Sequence, residues 1–466
     1  MSSPLLEADQ EKFDNKTVWK IGITVAMGSF ISGMNLGVYN SAPDNISATL
    51  DWGSNKDYFI PTMNAMMHFG ATFGALSAGP LATKKGRRQA ILILDIITII
   101  ASAFFLIPFT PTFAIGRFLS GFIAGGFCVL SPLFIFEFAP VSISGKIGSL
   151  IQFNITLGIV FMYALALPLP TGGYKSNDLN YWWMFMFSLQ SVFALFQLFL
   201  MLMKFKYDTP VWLLEQNRRE EAERSLRQYY DDESAASALA RLEKSIQKSK
   251  EEAGESSYAD LLCCRKGHSK SFRIGIMLNF IQQWCGINAI LGYSTSIFSE
   301  FGSEFVARCF TVLIGLVNMG ATLILFPAVN KYGRKPMLWI GSLGMAACLI
   351  FDGIFSGPVD ATVGPPLAFI LIYIVFFETS AGPLCWIVCG EILAPKAMSI
   401  CLGMNWASAT AVVFLFPIMV NAFSMTYTFF FYAGICLLSV PYLWFDLVET
   451  KGRTKADLKT EFSKLR

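Results

Sequence analysis

The sequence predicts an all-α membrane protein in which twelve transmembrane helices form two six-helix halves. Hydrophobic residues make up 54% of the 466-residue chain and charged residues only 15%, a composition that is rare in soluble globular domains. Twelve apolar runs approach or exceed the roughly 20 residues that a helix needs to cross a bilayer. Short motifs of the first half also recur, in the same order, in the second half. Together these observations indicate a duplicated protein that crosses the membrane many times.

The predicted spans are numbered 1 to 12 in chain order. They cover residues 18–39, 59–81, 89–108, 113–138, 147–167, 182–203, 274–298, 305–329, 336–354, 366–390, 397–423 and 427–445. Most lysines and arginines lie in one set of connections, whereas the opposite set is nearly bare of them. Because cationic loops tend to stay on the cytoplasmic side, both termini are predicted to be cytoplasmic.

The spans divide the chain into five parts. These are a cytoplasmic N-terminal segment 1–17, a first half 18–203, a cytoplasmic loop 204–273, a second half 274–445 and a cytoplasmic tail 446–466. The loop carries charged residues and alanine at helical spacing, which predicts short amphipathic helices at the membrane surface; a flexible charged linker is the alternative. On the outer side, Asn45-Ile46-Ser47 predicts a possible glycosylation site at Asn45, although such triplets also occur by chance.

Three motifs of the first half have counterparts in the second half. The matching pairs are 80–88 with 327–335, 137–140 with 391–395, and 208–209 with 449–450. Three motifs in the same order indicate that the halves arose by duplication. In transporters built from such repeats, the solute site lies near the midplane between the halves, which rock to expose it to either side.

Charged residues of these motifs lie at the predicted cytoplasmic ends of the spans. Glycine lets the chain reverse at positions 86 and 333, and the adjacent cations can bind lipid headgroups or neighbouring carboxylates. Such charges could close the inner side in one state and separate in another; the alternative is that they only fix the topology. The candidates are Arg87, Arg88, Glu137, Asp208, Arg334, Lys335, Glu391 and Glu449.

Span 7 contains a polar cluster, Gln282, Gln283 and Asn288, inside an apolar run. Polar groups in hydrocarbon need partners, and at about 100° per residue these amides would not share one face of a straight helix. Gly286 and Gly292 permit a bend or break that would bring them together. Because an amide both donates and accepts, the cluster predicts a cavity for a neutral solute with many hydroxyl groups. Hydrogen bonding between helices is the alternative.

Other spans carry further candidates for the same cavity. In span 10, Gly382-Pro383 permits a hinge, and Trp386 one turn later could stack on a ring-shaped solute, unless it is ordinary packing. Four glycines of span 4, at 116, 121, 125 and 126, predict close helix packing. The remaining polar candidates are Gln152 and Asn154 in span 5, Asn318 in span 8, Glu378 in span 10 and Asn405 in span 11.

Nothing in the sequence indicates an enzyme, a cofactor or a metal site. The two histidines and ten cysteines show no spacing of a catalytic triad, a zinc site or a disulfide framework. A net charge of +3 is too small to indicate nucleic-acid binding. The expected partners are therefore a small neutral solute and the lipid bilayer.

Taken together, the motifs resemble the sugar porter branch of the major facilitator superfamily over nearly the whole chain. The pieces that carry the resemblance are Gly116-Arg117, Glu137, Asp208-Thr209-Pro210, Gln282-Gln283 with Gly286-Ile287-Asn288, Gly333-Arg334-Lys335, Gly382-Pro383 with Trp386, Asn405-Trp406 and Glu449-Thr450-Lys451. The resemblance implies the major facilitator fold and transport of a hexose, most often D-glucose, by alternating access in the plasma membrane. We expect the protein to function as a monomer.

The same resemblance implies which residues contact the sugar. They are Gln152, Gln282, Gln283, Asn288, Asn318, Glu378 and Trp386, and Asn405 is assigned to the same site. Two departures lie near this region. Gly292 stands where many relatives have a tyrosine that helps to close the outer gate, and Trp284-Cys285 replaces Leu-Ser. A looser outer gate and an altered choice of sugar are expected from them.

The mode of transport depends on titratable groups within the spans. Proton-driven members of the family resemble one another in an aspartate of span 1, and the matching residue here is Asn35, which cannot carry a proton. The chain therefore resembles the GLUT-type facilitative carriers. Proton–sugar symport through Asp95 or Glu378 is the alternative, although Asp95 could instead pair with a cation at the inner end of span 3. A nutrient sensor that does not transport ranks third.

The inner charge network differs from the usual family pattern. Uncharged residues replace charged ones at Thr83, Ser144, Val211 and Asn330. Fewer ion pairs would weaken the closure of the inner side, which predicts a population shifted toward the inward-open state.

Overall fold

The computed structural model describes residues 12–171, 181–252, 269–299, 302–356, 364–393 and 395–451, together with Arg453 and Leu458. Apart from turns and one isolated bridge between Phe13 and Tyr230, the ordered elements of this part of the chain are helices. The helices of the first half are α1 (Asn15–Gly37), α2 (Pro43–Thr49), α3 (Lys56–Lys85), α4 (Arg87–Phe105), α5 (Thr110–Phe138), α6 (Val141–Leu165), α7 (Trp182–Ser188) and α8 (Gln190–Met203).

Three shorter or more polar helices follow, namely α9 (Pro210–Glu215), α10 (Arg219–Leu226) and α11 (Asp232–Glu252). The helices of the second half are α12 (Ser269–Trp284), α13 (Ile287–Ser299), α14 (Glu304–Tyr332), α15 (Arg334–Phe355), α16 (Gly364–Glu378), α17 (Ala381–Ile392) and α18 (Pro395–Phe445). The helices α10 and α11 lie where the cytoplasmic loop was predicted to form short helices. Residues 253–268 of that loop lie outside the described part of the chain.

Within the described ranges, nine helices are long and apolar enough to cross a membrane. Predicted spans 1 and 2 correspond to α1 and α3, which are helical but are not among the nine. One of the nine, Ala397–Phe445, contains predicted spans 11 and 12, separated by the non-helical Ser424 (φ 78°, ψ 164°). The all-α membrane architecture agrees with the prediction. The count of twelve spans and the location of the termini stay predictions.

Glycines bring helices of the first half into backbone contact. Gly121 and Gly125 of α5 face α3 so closely that a Cβ atom on either would overlap the carbonyl oxygen of Met67 or Ala71. The other two glycines of predicted span 4, at 116 and 126, face side chains at short distance. The predicted close packing of this helix is therefore confirmed, and it holds α3 and α5 together as one unit.

We expect Gly125→Ala to lower the free energy of unfolding by about 1–3 kcal/mol, because the added methyl group would press on the backbone of α3. The measurement is the thermal unfolding midpoint of the purified protein in detergent. Gly434→Ala is the matched control, since a Cβ atom there meets nothing within 4 Å. Alanine is the better helix former, so the control is expected to keep or slightly raise the midpoint. Equal midpoints for both variants would contradict this packing.

Two helix pairs join the halves. The helix α3 packs along α18, and α6 packs along α14. Small residues of α3, Ala71 and Ala75, contact Leu402 and Trp406 of α18 in an apolar cluster. The space between the halves is therefore flanked by these two pairs, while the broken helices of the second half lie between them.

The loop helices pack on the end of the first half that the sequence predicts to be cytoplasmic. The Tyr229 hydroxyl donates to the carbonyl oxygen of Phe138 at 2.7 Å, and the Trp212 indole donates to the carbonyl oxygen of Thr83 at 2.9 Å. These bonds attach the segment after α8 to the ends of α3 and α5. The helices predicted at the membrane surface are thus anchored to protein.

The glycosylation of Asn45 stays a prediction, and in this conformation the side chain that would carry the glycan is buried. Asn45 lies within α2, and its side chain is only 2% exposed. A glycan on its amide nitrogen would need to occupy space that packed side chains fill. The Asn-Ile-Ser triplet could not reveal this, because it carries no information about burial.

Candidate functional site

Span 7 is broken within its polar cluster, as the sequence predicted. The helix α12 ends at Trp284 and α13 begins at Ile287. Between them, Gly286 has φ +98°, a left-handed conformation that side chains disfavour. A Cβ atom at this position would also lie 3.1 Å from the ring of Tyr432. Glycine is therefore required at the break for two independent reasons.

Span 10 is also broken, but earlier than predicted. The helix α16 ends at Glu378, and Ser380 adopts φ −137° and ψ −99° before α17 begins at Ala381. The predicted hinge, Gly382-Pro383, instead forms the first turn of α17, where the missing N–H of proline is tolerated. The predicted position of the hinge is therefore wrong by a few residues, although the interruption itself is present.

The amides of the polar cluster form one hydrogen-bonded chain. Asn288 Nδ2 donates to Gln283 Oε1, and Gln283 Nε2 donates to Asn405 Oδ1 at 2.8 Å. Asn405 Nδ2 donates to Gln282 Oε1 at 2.5 Å. Finally, Gln282 Nε2 donates to the carbonyl oxygen of Gly382 at 2.7 Å. The chain joins both helix breaks to α18, and it leaves further donor and acceptor positions of each amide unused.

A second polar group lies between α14, α16 and the first half. Thr322 Oγ1 donates to Glu378 Oε2 at 3.3 Å. Both amide atoms of Asn318 are buried without a hydrogen-bond partner in the described chain. Asn318 and Gln152 lie close to the Glu378 carboxylate. Because Gln152 belongs to α6, this group faces the other half, and a solute hydroxyl could satisfy the amide of Asn318.

Trp386 is half-buried on α17, at the edge of an apolar cluster that spans the halves. It packs against the residues of this cluster, which include Leu402 and Trp406 of α18 and Ala71 of α3. The Trp406 ring lies 6.1 Å from the ring of His68 on α3. The structure therefore brings Trp386 to the boundary between the halves, one helical turn beyond Gly382, whose carbonyl oxygen accepts from Gln282.

Trp284 and Cys285 do not extend the amide cluster. The Trp284 ring stacks on Phe280 at 5.3 Å and contacts Phe431 of α18 on its other side. Cys285 is buried, and its thiol donates to the carbonyl oxygen of Gln282. These aromatic contacts do not support the expectation that Trp284 changes the choice of sugar by direct contact. Cys285 contacts the backbone of Gln282, one of the amide residues.

Each half has the same capping arrangement at its inner end. Asp208 accepts the backbone N–H groups of Arg87 and Arg88 at 3.0 and 3.1 Å, and thereby caps α4. Glu449 caps α15 in the same way, with two N–H groups at 3.0 Å. Burial raises the pKa of Asp208. Burial also tends to raise the pKa of Glu449. The backbone N–H groups that bond to its carboxylate outweigh this effect, and the pKa is lowered. The caps confirm the internal repeat at the level of individual contacts.

The ion pairs of these motifs lie within each half. Arg87 donates to Glu137 at 2.6 Å and to Glu215 at 3.4 Å, and Arg334 donates to Glu391 at 2.8 Å. No ion pair joins the two halves in the part of the chain that the structure describes. The inner charges are therefore separated in this conformation.

The two charge clusters are not equally complete. Glu137 also accepts from the Thr209 hydroxyl at 2.5 Å. In the second half, the corresponding Thr450 hydroxyl and one oxygen of Glu391 are buried and have no hydrogen-bond partner among the residues that the structure describes. The Arg88 guanidinium, for its part, donates to two carbonyl oxygens at the end of α8, so it joins helices of the first half. For Lys335, the backbone N–H contributes to the cap of α15.

Hydrogen bonds join the two halves at the opposite end. Asn40 Nδ2 donates to the carbonyl oxygen of Leu291 and to the Ser294 hydroxyl, and Asn40 Oδ1 accepts from the Thr295 N–H at 3.1 Å. The Tyr163 hydroxyl donates to the same carbonyl oxygen of Leu291 at 2.7 Å. These bonds hold α1 and α6 against α13, next to Gly292, where the sequence predicted a looser gate.

Arg308 forms a second connection at this end. Its side chain is fully buried, it pairs with Glu304, and it donates to the carbonyl oxygens of Leu169 and Pro170 in the first half. Sequence reasoning missed both Asn40 and Arg308 as functional candidates. The available signal was weak: Asn40 is a polar residue at the end of span 1, and Arg308 is one of few cations on the predicted outer side.

Asn35, the residue of span 1 on which the expectation of uniport rests, lies in a chain of neutral polar groups. Asn35 Nδ2 donates to Gln190 Oε1 at 2.7 Å, and Gln190 Nε2 donates to the Ser120 hydroxyl at 3.3 Å. Asp95 is fully buried elsewhere, on α4, and neither of its oxygens has a hydrogen-bond partner in the described chain. The expectation that Asp95 pairs with a cation is therefore wrong.

Comparison with known proteins agrees with these features. A family model described as "Sugar (and other) transporter" matches residues 21–462. Plastidic glucose transporter 4 of Arabidopsis thaliana is 30% identical over 93% of this chain and 78% of its own length. The glucose transporter GlcP of Staphylococcus epidermidis is 30% identical, with 95% and 96% covered. The D-xylose-proton symporter of Escherichia coli is 27% identical, with 96% of each chain covered.

Solved structures give the same result. The proton:xylose symporter XylE bound to 6-bromo-6-deoxy-D-glucose matches with a TM-score of 0.80 and 26% identity, covering 96% of this chain and 100% of that chain. XylE in its inward open conformation matches with a TM-score of 0.79 and 24% identity, covering 95% and 99%. The family model covers nearly the whole chain, and the fold is shared over the same length. The chain therefore belongs to the sugar transporter family of the major facilitator superfamily, whose members are integral, multi-pass membrane proteins.

Proposed function

We propose that the protein is a facilitative carrier of a hexose, with D-glucose as the leading candidate for its substrate. The observation that carries this proposal is the amide chain of Gln282, Gln283, Asn288 and Asn405 at the two helix breaks. Neutral amides with unused donors and acceptors suit a solute that offers hydroxyl groups in several directions. Glucose is named in two of the relatives, and a glucose derivative occupies one of the matching structures.

Sugar binding in this proposal uses both halves. The amide chain forms one wall, and Asn318 with Glu378 forms a second wall that Gln152 approaches from α6. Trp386 would stack on the apolar face of the sugar ring at the boundary between the halves. A sugar held between two halves can be released on either side as the halves rock.

The contacts at the two ends support an inward-facing conformation. Hydrogen bonds from Asn40, Tyr163 and Arg308 join the halves at one end, and we assign this end to the outer side. At the other end the ion pairs stay within each half. This difference agrees with the expected weak inner closure, in which Glu137 and Glu391 would take part. We further propose that the chain crosses the plasma membrane twelve times, with both termini in the cytoplasm, and that it works as a monomer. One relative is plastidic.

Uniport is favoured over proton symport by the hydrogen bond between Asn35 and Gln190. Neither group titrates, so this pair cannot couple a proton to the sugar. Proton symport is the second candidate, since one relative is a D-xylose-proton symporter and two carboxyl groups, Asp95 and Glu378, are buried in the spans. Asp95 is fully buried on α4, whereas Glu378 lies in the proposed site, so Glu378 is the better candidate of the two.

The experiment is uptake into proteoliposomes. Labelled D-glucose, D-fructose, D-galactose and D-xylose would be supplied with and without an imposed pH gradient. Facilitative transport predicts that the internal sugar reaches the external concentration and does not exceed it under either condition. Accumulation above the external concentration when the outside is acidic would instead support proton symport. Lack of uptake of every sugar would contradict both candidates.

A further inference from the structure

Asn64 of α3 lies next to Gly292 of α13, between the two halves. Gly292 is one helical turn beyond Asn288 on α13, so the two residues share a face of that helix. A Cβ atom on Gly292 would lie 3.4 Å from Asn64 Nδ2, which is the only neighbour within 4 Å that it would meet in the described chain. The amide of Asn64 therefore occupies the space that the absent side chain at position 292 leaves open, above Asn288.

Arg117 determines which way this amide points. Its guanidinium is fully buried, and Nη2 lies 3.5 Å from Asn64 Oδ1 while Nε donates to the carbonyl oxygen of Met63 at 3.1 Å. A guanidinium carries only donors, so the amide oxygen must face Arg117 and the NH2 group must turn away from it. The Asn64 NH2 group is thereby directed toward α13 and Gly292.

At least one N–H of the Asn64 NH2 group lacks an acceptor among the described residues. Asn64 is 4% exposed, and Nδ2 makes no hydrogen bond of good geometry in the part of the chain described. The Tyr293 hydroxyl donates to the carbonyl oxygen of Val413 at 3.0 Å, and its oxygen lies close enough to Asn64 to accept from one N–H. An amide NH2 group carries two N–H donors, so the second N–H still lacks an acceptor. A buried donor without an acceptor costs free energy, and a ligand oxygen at this place would remove that cost.

The face of α3 that bears Asn64 continues toward the aromatic part of the site. His68 follows one turn later, and its ring lies 6.1 Å from Trp406, which belongs to the cluster that Trp386 packs against. Asn64 and Trp386 therefore lie beside the same space between the halves, at positions that are separated along the length of α3.

We propose that Asn64 is a specificity-determining residue, whose Nδ2 donates a hydrogen bond to the hydroxyl oxygen at the end of the hexose nearest Gly292. This inference rests on the proposed function. A site that offers a buried donor rejects an analogue that lacks the matching oxygen, because the donor is then left unpaired. Asn64 would thus select for a sugar that carries a hydroxyl group at one particular carbon.

The test compares monodeoxy and monofluoro derivatives of D-glucose, one carbon at a time, as competitors of labelled glucose uptake into proteoliposomes. For the unaltered protein, removal of the hydroxyl at one carbon is expected to weaken competition by about tenfold. Fluorine at that carbon should compete better than hydrogen, because fluorine can still accept from Nδ2. Asn64→Leu should abolish the deoxy penalty at that carbon and leave the profile at the other carbons unchanged.

Asn64→Asp separates binding from support of Arg117. A carboxylate keeps the contact with Arg117 but has no donor, so the fluoro derivative should then compete as poorly as the deoxy derivative. If instead Asn64→Asp keeps the profile of the unaltered protein, Asn64 has only a structural role and the inference is wrong. Hexose uptake with an unchanged deoxy profile in Asn64→Leu would overturn the inference alone. Lack of uptake by the unaltered protein would overturn the proposed function, and this inference with it.

Discussion

Replacing Gln282 with alanine is expected to weaken hexose binding by about 10- to 100-fold while the protein still folds. Gln282 bridges Asn405 and the carbonyl oxygen of Gly382, so it holds the break of span 10 against α18. Its loss removes one proposed sugar contact and leaves Asn405 and the carbonyl oxygen of Gly382 without this partner. The measurement is the apparent dissociation constant for D-glucose, obtained by titration of the purified protein.

Asn154→Ala is the matched control for this prediction. Asn154 is also an amide within a span, but it donates to the carbonyl oxygen of Leu150 in its own helix. Its removal should leave glucose binding unchanged. Unfolding midpoints of both variants show whether any loss of binding reflects a loss of fold. Unchanged affinity in the folded Gln282→Ala protein would mean that the amide chain only joins helices, which is the alternative that the sequence left open.

The second large effect is expected at the outer end, where Arg308→Ala should shift the protein toward the outward-facing state by at least about tenfold. Arg308 donates to two carbonyl oxygens of the opposite half, and hydrogen bonds from a charged donor are stronger than neutral ones. These bonds must break whenever the outer side opens. Their loss therefore stabilises the open outer side relative to the closed one.

The shift can be measured by labelling Leu291→Cys, on a background without other cysteines, with a membrane-impermeant maleimide. Leu291 lies at the closed outer contact, which it makes through its backbone carbonyl oxygen. Arg308→Ala should raise the labelling rate from outside by about tenfold. Arg308→Gln, which keeps fewer donors, should give a smaller increase. Arg219→Ala, which removes an exposed ion pair of the cytoplasmic loop, is the control without an expected change. A labelling rate that Arg308→Ala leaves unchanged or lowers would contradict the outer connection.

The local part of the site could be predicted from sequence because its causes are local. Three amides spaced along an apolar run cannot share a face of a straight helix, and Gly286 offered the break that the structure contains. The internal repeat was also visible, and it appears in the structure as two equivalent caps by Asp208 and Glu449. These predictions depend on residue type and spacing alone.

Features that depend on packing between distant segments could not be predicted. The break of span 10 lies at Ser380, and the first turn after it is bound by Gln282 of another helix through the carbonyl oxygen of Gly382. Asn45 is buried although its triplet suggested an exposed loop. Neither carboxylate oxygen of Asp95 has a hydrogen-bond partner among the described residues, although its place in span 3 suggested a cation at the inner end. In each case the deciding partner lies far away in the sequence.

The sequence analysis named the inner charges as the contacts between the halves but missed the hydrogen bonds at the opposite end, for the same reason. Sequence comparison within the chain indicated the inner charges, because those belong to repeated motifs. Asn40 and Arg308 have no counterparts in those motifs, and apart from the Ser294 hydroxyl the partners described for them in the other half are backbone atoms. Backbone acceptors leave no trace in residue type. A partner of this kind becomes visible only when the fold places it.

The most direct test of the account is whether sugar moves protons. The purified protein would be reconstituted into liposomes that contain a pH-sensitive dye, and an inward gradient of D-glucose would be applied without a pH gradient. Because Asn35 carries no proton and its hydrogen-bond partner Gln190 is also a neutral amide, glucose should enter while the internal pH stays constant. Acidification of the interior in step with glucose entry, abolished by Glu378→Gln, would contradict facilitative transport and establish proton symport instead.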